Sequence, residues 1–194
     1  MARLRGMLVA VFVGCLGCLW PVAAHADGFI SPGFGAAFGT PSAASGRPTF
    51  VLDVGWLSRE PVGVDLDATF GPNFFGTGGH NSVATFTGNI IVAASDPDRY
   101  RRFRRFRTVA RPYFTVGVGV MRENLASPAA SARDLGADLG FGIIFIPRHQ
   151  IGLRADVRYF RNFVSQSNGS SVGFGPFHFW RASLGFAFRF GGRR

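Results

Sequence analysis

Cys15 and Cys18 stand in the C-x-x-C spacing of thiol–disulfide redox sites. Their surroundings assign them another fate. Arg3 and Arg5 form a short basic head, an apolar run covers residues 6–20, Pro21 breaks it, and Ala24-His25-Ala26 has the small-x-small pattern of a signal-peptidase site. The run is about 15 residues long, short of the ~20 that carry a helix across a bilayer. A lipoprotein-type cut before Cys15 would fall inside it. Residues 1–26 are therefore expected to be a secretory signal peptide cleaved after Ala26, and a motif discarded on export does no chemistry. Residues 27–194 contain no cysteine, so no disulfide, thiol nucleophile or cysteine metal site is available there.

Three histidines remain: His80, His149 and His178. Ser82 lies beside His80, and serine with histidine is the pairing of acyl-transfer chemistry. Nucleophilic catalysis also needs a group to orient the imidazole, and no acid stands in register with His80 or His178. No cluster has metal-ligand spacing, and no glycine loop precedes a helix as phosphate-binding motifs require. The expectation is no enzyme, no metal and no cofactor.

Arginine carries all the basic charge, and seven arginines crowd residues 99–111: Arg99, Arg101, Arg102, Arg104, Arg105, Arg107 and Arg111, interleaved with Tyr100, Phe103 and Phe106. Basic and aromatic text can bind nucleic acid, a partner that an exported chain does not meet. The stretch reads as a solvated basic turn, or as an amphipathic segment drawn to anionic headgroups at ~1 kcal/mol per basic residue near the surface.

The elements that must position these residues announce themselves by period. Alternation with period two, the mark of half-buried strands, recurs eight times: in residues 30–38, 50–56, 62–70, 84–92, 114–120, 135–145, 151–159 and 180–190. In the last, Trp180, Ala182, Leu184, Phe186, Phe188 and Phe190 alternate with Arg181, Ser183, Gly185, Ala187 and Arg189. No comparable stretch has a helical period. Strands of about 9–12 residues suit a soluble barrel or a tilted transmembrane one, which needs ~9–11 residues per strand.

Periodicity alone does not say which face is outside; a lipocalin-like binder would point the apolar set inward. Three features favour apolar-out. The polar set is crowded with glycine, which weakens a solvated strand but fits a narrow bore filled by long side chains. The same set holds charges of both signs: Asp53, Asp65, Asp67, Glu123, Asp138 and Asp156 against Arg111, Arg154, Arg158, Arg181 and Arg189. Buried charges must be paired, so near balance is what a closed interior requires. Connections also alternate in length, short at 58–61 and 147–149, longer at 40–48, 71–81, 124–133 and 161–178, as in outer-membrane barrels. Trp56, Tyr159, Trp180 and Phe190 then sit at strand ends, where interfacial aromatic girdles lie.

The chain resembles the small bacterial outer-membrane β-barrel proteins, the OmpA/OmpX-like eight-stranded group. The segments that carry the likeness are "FISPGFGAAFG", "DLDATFGPNFFG", "RPYFTVGVGVMR", "IGLRADVRYFRNF" and "FWRASLGFAFRF". The resemblance implies an all-β, eight-stranded antiparallel up-and-down transmembrane β-barrel over residues 27–194, placed in the outer membrane. It implies a last strand whose terminal aromatic, Phe190, is read by the barrel assembly machinery; the tail Gly191-Gly192-Arg193-Arg194 departs from members that stop at the aromatic. Both termini and the basic turn of Arg99, Arg101, Arg102, Arg104, Arg105 and Arg107 would face the periplasm. Members serve as anchors, adhesins, defences, narrow pores and lipid-modifying enzymes. The reading for this chain is a monomeric, non-catalytic scaffold presenting four external loops. Its partners are outer-membrane lipids and no nucleic acid, and the residues name no extracellular ligand. A narrow ion or solute channel and a lipid A-modifying enzyme are the alternatives. The expected internal ladder sets Arg154, Arg158, Arg181 and Arg189 against Asp53, Asp65, Asp67, Asp138 and Asp156.

Overall fold

Val62, Leu66 and Phe70 project from one side of a strand while Asp65, Asp67 and Thr69 are buried on the other. That division repeats around the whole molecule. The computed structural model describes residues 27–39, 46–57, 61–75, 81–94, 109–126, 129–146, 151–166 and 177–190. They form eight antiparallel strands: β1 (Asp27–Phe38), β2 (Arg47–Leu57), β3 (Val62–Pro72), β4 (Ser82–Ala93), β5 (Val109–Ala126), β6 (Ala129–Ile146), β7 (Ile151–Gln166) and β8 (His178–Phe190). Each strand pairs with its sequence neighbour, and β1 also pairs with β8, so the sheet closes into a barrel. Closure satisfies the backbone donors and acceptors that an open edge would expose. In hydrocarbon this is obligatory, since no water is there to replace a missing ladder bond.

The usual order of globular burial is inverted. The largest buried side chains are Arg154, Arg158 and Arg181, while Phe34 on β1, Val118 on β5 and Phe141 on β6 are more than half exposed. Such a wall is solvated by hydrocarbon; in water it would be a continuous apolar surface far beyond the few hundred Å² that soluble monomers tolerate.

The bore is layered along its axis. At the loop end, Ala37, Phe74, Val83, Met121, Phe160 and Phe179 form an apolar plug. At the end bearing the termini, Phe29, Leu57, Ile91, Ala93, Tyr113 and Ile144 form another. The charged layer lies between. Within it, a Cβ added at Gly140 would sit 2.7 Å from Cγ of Arg158, so the arginine stem occupies the space that the missing side chain leaves.

Four strands exceed the expected 9–12 residues, β8 by a single residue. β5 and β6 each run 18 residues and β7 runs 16, so most of 124–133 and the first part of 161–178 are strand instead of loop. Beyond the apolar wall the ladder hydrogen bonds continue while the alternation of hydrophobicity stops, which leaves no periodic signal. β5 also begins at Val109, taking in Arg111 and Pro112, which the sequence assigned to the preceding gap. The β6–β7 pairing carries a bulge between Leu135 and Gly136, with Phe163 the extra residue on β7, while Arg161 outward and Asn162 inward continue the alternation of that strand. Residues 1–26, expected to be a signal peptide cleaved after Ala26, the arginines of residues 99–107, His80, His149 and the tail after Phe190 lie outside the described residues.

Candidate functional site

The charged layer is built from side chains two residues apart on single strands, which places them on one face. β7 supplies Arg154, Asp156 and Arg158, β3 supplies Asp65 and Asp67, and β2, β6 and β8 add Asp53, Asp138 and Arg181. Three guanidinium groups meet five carboxylates, all buried.

Arg158 is the hub. Its Nη2 donates to Asp53 Oδ1 at 3.2 Å and to Asp65 Oδ2 at 3.1 Å, and its Nη1 donates to Asp138 Oδ2 at 3.2 Å. Asp67 and Asp156 complete its surroundings at 3.6 and 3.7 Å. Arg181 grips Asp67 bidentately, with Nη1 to Oδ1 at 2.9 Å and Nη2 to Oδ2 at 2.7 Å, the strong planar fork of arginine and carboxylate. Arg181 also donates to Thr69, and its Nη2 reaches Asp156 Oδ1 at 3.3 Å. Arg154 donates to Asp65 Oδ2 at 2.7 Å and to the Tyr113 hydroxyl at 2.8 Å, and that hydroxyl donates to Asp156 Oδ2 at 3.0 Å. Ser183 donates to Asp156 Oδ1 at 2.8 Å.

Aromatic rings join this layer to both plugs. The Arg154 guanidinium lies 5.3 Å from the centre of the Phe29 ring and 5.1 Å from that of Tyr113, and Arg181 lies 5.2 Å from the Phe160 ring. The quadrupole of each ring favours a cation over its face. The interior is thus one connected solid spanning β1, β2, β3, β5, β6, β7 and β8.

Arg189 stands near the end of β8 opposite Phe29, eight residues past Arg181 on the same strand. Arg111 is half-buried at the start of β5 and donates from Nε to the Ala94 carbonyl at 3.2 Å. Glu123 is buried near the loop end, and neither of its carboxylate oxygens has a hydrogen-bond partner. Nearby Asp134, which the alternation did not single out, accepts from Asn162 Nδ2 at 2.8 Å.

The expected girdle residues are on the outer wall. Trp180 and Tyr159 are neighbours at the loop end, with ring centres 5.0 Å apart, while Trp56 and Phe190 are exposed toward the other end. His178 is exposed and its ring centre lies 6.0 Å from that of Tyr159. Ser82 accepts from Asn124 Nδ2 at 3.2 Å. Among the described residues no group of three potential metal ligands occurs.

The plugs were not anticipated. Phe74, Phe75, Phe177 and Phe179 pack with ring centres 5.2–5.9 Å apart, and Phe160 stacks on Phe179 at 4.8 Å. Two asparagines hold the loop-borne rings over the mouth: Asn81 Oδ1 accepts from the Phe75 backbone N–H at 3.0 Å, and Asn162 Oδ1 accepts from that of Phe177 at 2.7 Å. The legible trace of the plugs is the adjacent apolar pairs Ile90-Ile91, Ile143-Ile144, Tyr159-Phe160 and Phe179-Trp180, where one residue of each pair must face inward.

Neisserial surface protein A superimposes on this chain with a TM-score of 0.59 at 12% identity, covering 86% of this chain and 97% of that one. This is the fold of the eight-stranded outer-membrane β-barrels. A second outer-membrane barrel, the N-terminal domain of Pseudomonas aeruginosa OprF, gives a TM-score of 0.51 at 17% identity, covering 84% of this chain and 97% of that domain. No protein-family model and no curated protein matches the chain. Identity this low leaves the outer-membrane barrel's architecture as the shared property, carried by alternation and closure and not by particular side chains.

Proposed function

We propose that this protein is a monomeric, non-catalytic outer-membrane scaffold whose closed barrel presents four loops on the cell surface. The observation that carries the reading is the stack within the bore. Arg154, Arg158 and Arg181 cross-link strands through buried carboxylates, and an apolar plug lies on either side. A narrow bore filled in this way supports rigidity over permeation. The reading includes removal of residues 1–26 after Ala26 and periplasmic termini. It also includes insertion by the barrel assembly machinery through the terminal aromatic Phe190, and contact of the Arg99–Arg107 turn with anionic lipid of the inner leaflet.

The test is a set of three measurements on the protein purified from outer membranes. Unboiled and boiled samples are expected to migrate differently on an SDS gel, as a folded barrel does. Planar bilayers are expected to show no single-channel steps, and steps would replace the scaffold by a channel. Lipid A extracted after overexpression is expected to keep its mass, and a shift would replace it by a lipid-modifying enzyme.

A further inference from the structure

The outer wall has its own charge pattern. Among the described residues its charged side chains are Arg122 on β5, Arg133 on β6 and Arg161 on β7, all exposed and all toward the loop end. The carboxylates of β2, β3, β5, β6 and β7 are buried in the bore, so among the described residues no acid on the wall offsets these cations.

Arg122 and Arg133 are direct cross-strand partners. Side chains so placed have Cβ atoms about 4.5–5.5 Å apart, and like charges there repel. Arg122 is nonetheless fixed in position. Its Nε donates to Asn124 Oδ1 at 3.2 Å, and Asn124 Nδ2 donates to Ser82 Oγ on β4 at 3.2 Å. The clip engages Nε and does not use the Nη1–Nη2 edge of this exposed guanidinium. The next outward pair along the same strands is Val120 opposite Leu135, both exposed to lipid. Arg161 lies on the adjoining strand with exposed Phe163 two residues on.

A ligand for this surface needs oxyanions to satisfy two opposed guanidinium forks and hydrocarbon to lie along the wall beside them. We propose that Arg122 and Arg133, flanked by Arg161, form a binding site for the phosphate of a phosphorylated glycolipid in the outer leaflet. Guanidinium binds phosphate oxygens in parallel pairs, and a phosphate monoester carries about −1.5 to −2 charge, close to what the two arginines supply. The leaflet assignment rests on the scaffold reading with periplasmic termini.

The experiment uses chain 27–194 refolded into phosphatidylcholine vesicles, with native mass spectrometry reading the lipid retained after gentle extraction. The vesicles carry phosphorylated lipid A, its dephosphorylated form, or phosphatidylglycerol. Retention of the phosphorylated glycolipid above the other two is expected. The Arg122→Gln/Arg133→Gln variant should weaken it about tenfold or more, and the Arg122→Lys/Arg133→Lys variant, which keeps charge and loses the fork, should fall between. Unchanged retention by the glutamine variant, or equal retention of the dephosphorylated form or of phosphatidylglycerol, overturns the site. Failure of the unsubstituted chain to insert and acquire heat-dependent migration would instead overturn the membrane reading beneath it.

Discussion

Arg158 and Asp53 are separated by 105 residues in the chain and by 3.2 Å in the bore. The contact spans the barrel from β7 to β2, elements that are not neighbours in the sheet. It exists only when every intervening strand is in register, so the central arginine acts as a lock on the closed barrel.

Arg158→Ala is expected to destabilise strongly. Breaking a buried charge network by removing one partner costs about 3–5 kcal/mol, because the remaining carboxylates are left buried and uncompensated. Arg133→Ala, on the outer wall, should stay within about 0.5 kcal/mol. Urea unfolding midpoints in detergent compare the two, and equal midpoints would refute the interior role of Arg158.

The space at Gly140 makes a separate prediction. A methyl there meets Arg158 Cγ at 2.7 Å and the Val157 carbonyl oxygen at 2.8 Å. Gly140→Ala should cost about 1–3 kcal/mol by overpacking. At Gly88 the nearest atom to an added Cβ is Leu66 Cδ2 at 3.7 Å, an ordinary contact, so Gly88→Ala should be tolerated. The same unfolding measurement distinguishes them.

Sealing of the bore is divided between layers. Phe74→Ala together with Phe179→Ala removes two fully buried rings from the loop-end plug. Each large-to-small change is expected to cost about 3–5 kcal/mol. Because the ionic layer beneath stays intact, the double variant should be less stable yet conduct no ions in planar bilayers. Conductance would show that the phenylalanines are the principal barrier.

The outer wall admits a test of what solvates it. Val118 is 69% exposed midway along β5. Val118→Arg should cost about 2–4 kcal/mol if that position lies near the bilayer midplane, lowering the yield of folded barrel in vesicles. Ser131→Arg, on the same wall of β6 close to the loop end, should insert normally. Equal yields would mean that Val118 does not meet hydrocarbon.

The sequence by itself determined the division of each strand into a lipid face and a bore face. That division has period two, is written in local order, and needs no knowledge of the partner strand. Ile151, Leu153 and Val157 out, with Arg154, Asp156 and Arg158 in, follow from alternation once glycine and charge balance identify the interior. Tertiary structure alone decided the pairing. Asp67 goes to Arg181 and Asp65 is shared by Arg154 and Arg158 because shear and stagger set the height of each side chain in the closed cylinder. It also decided that phenylalanines fill both ends of the bore and that β5, β6 and β7 run past the apolar wall. Alternation reports which side a residue faces and carries no information about its height, and height is what selects a partner in a bore where Arg154 meets Asp65 across 89 positions of the chain and Arg181 meets Asp67 across 114.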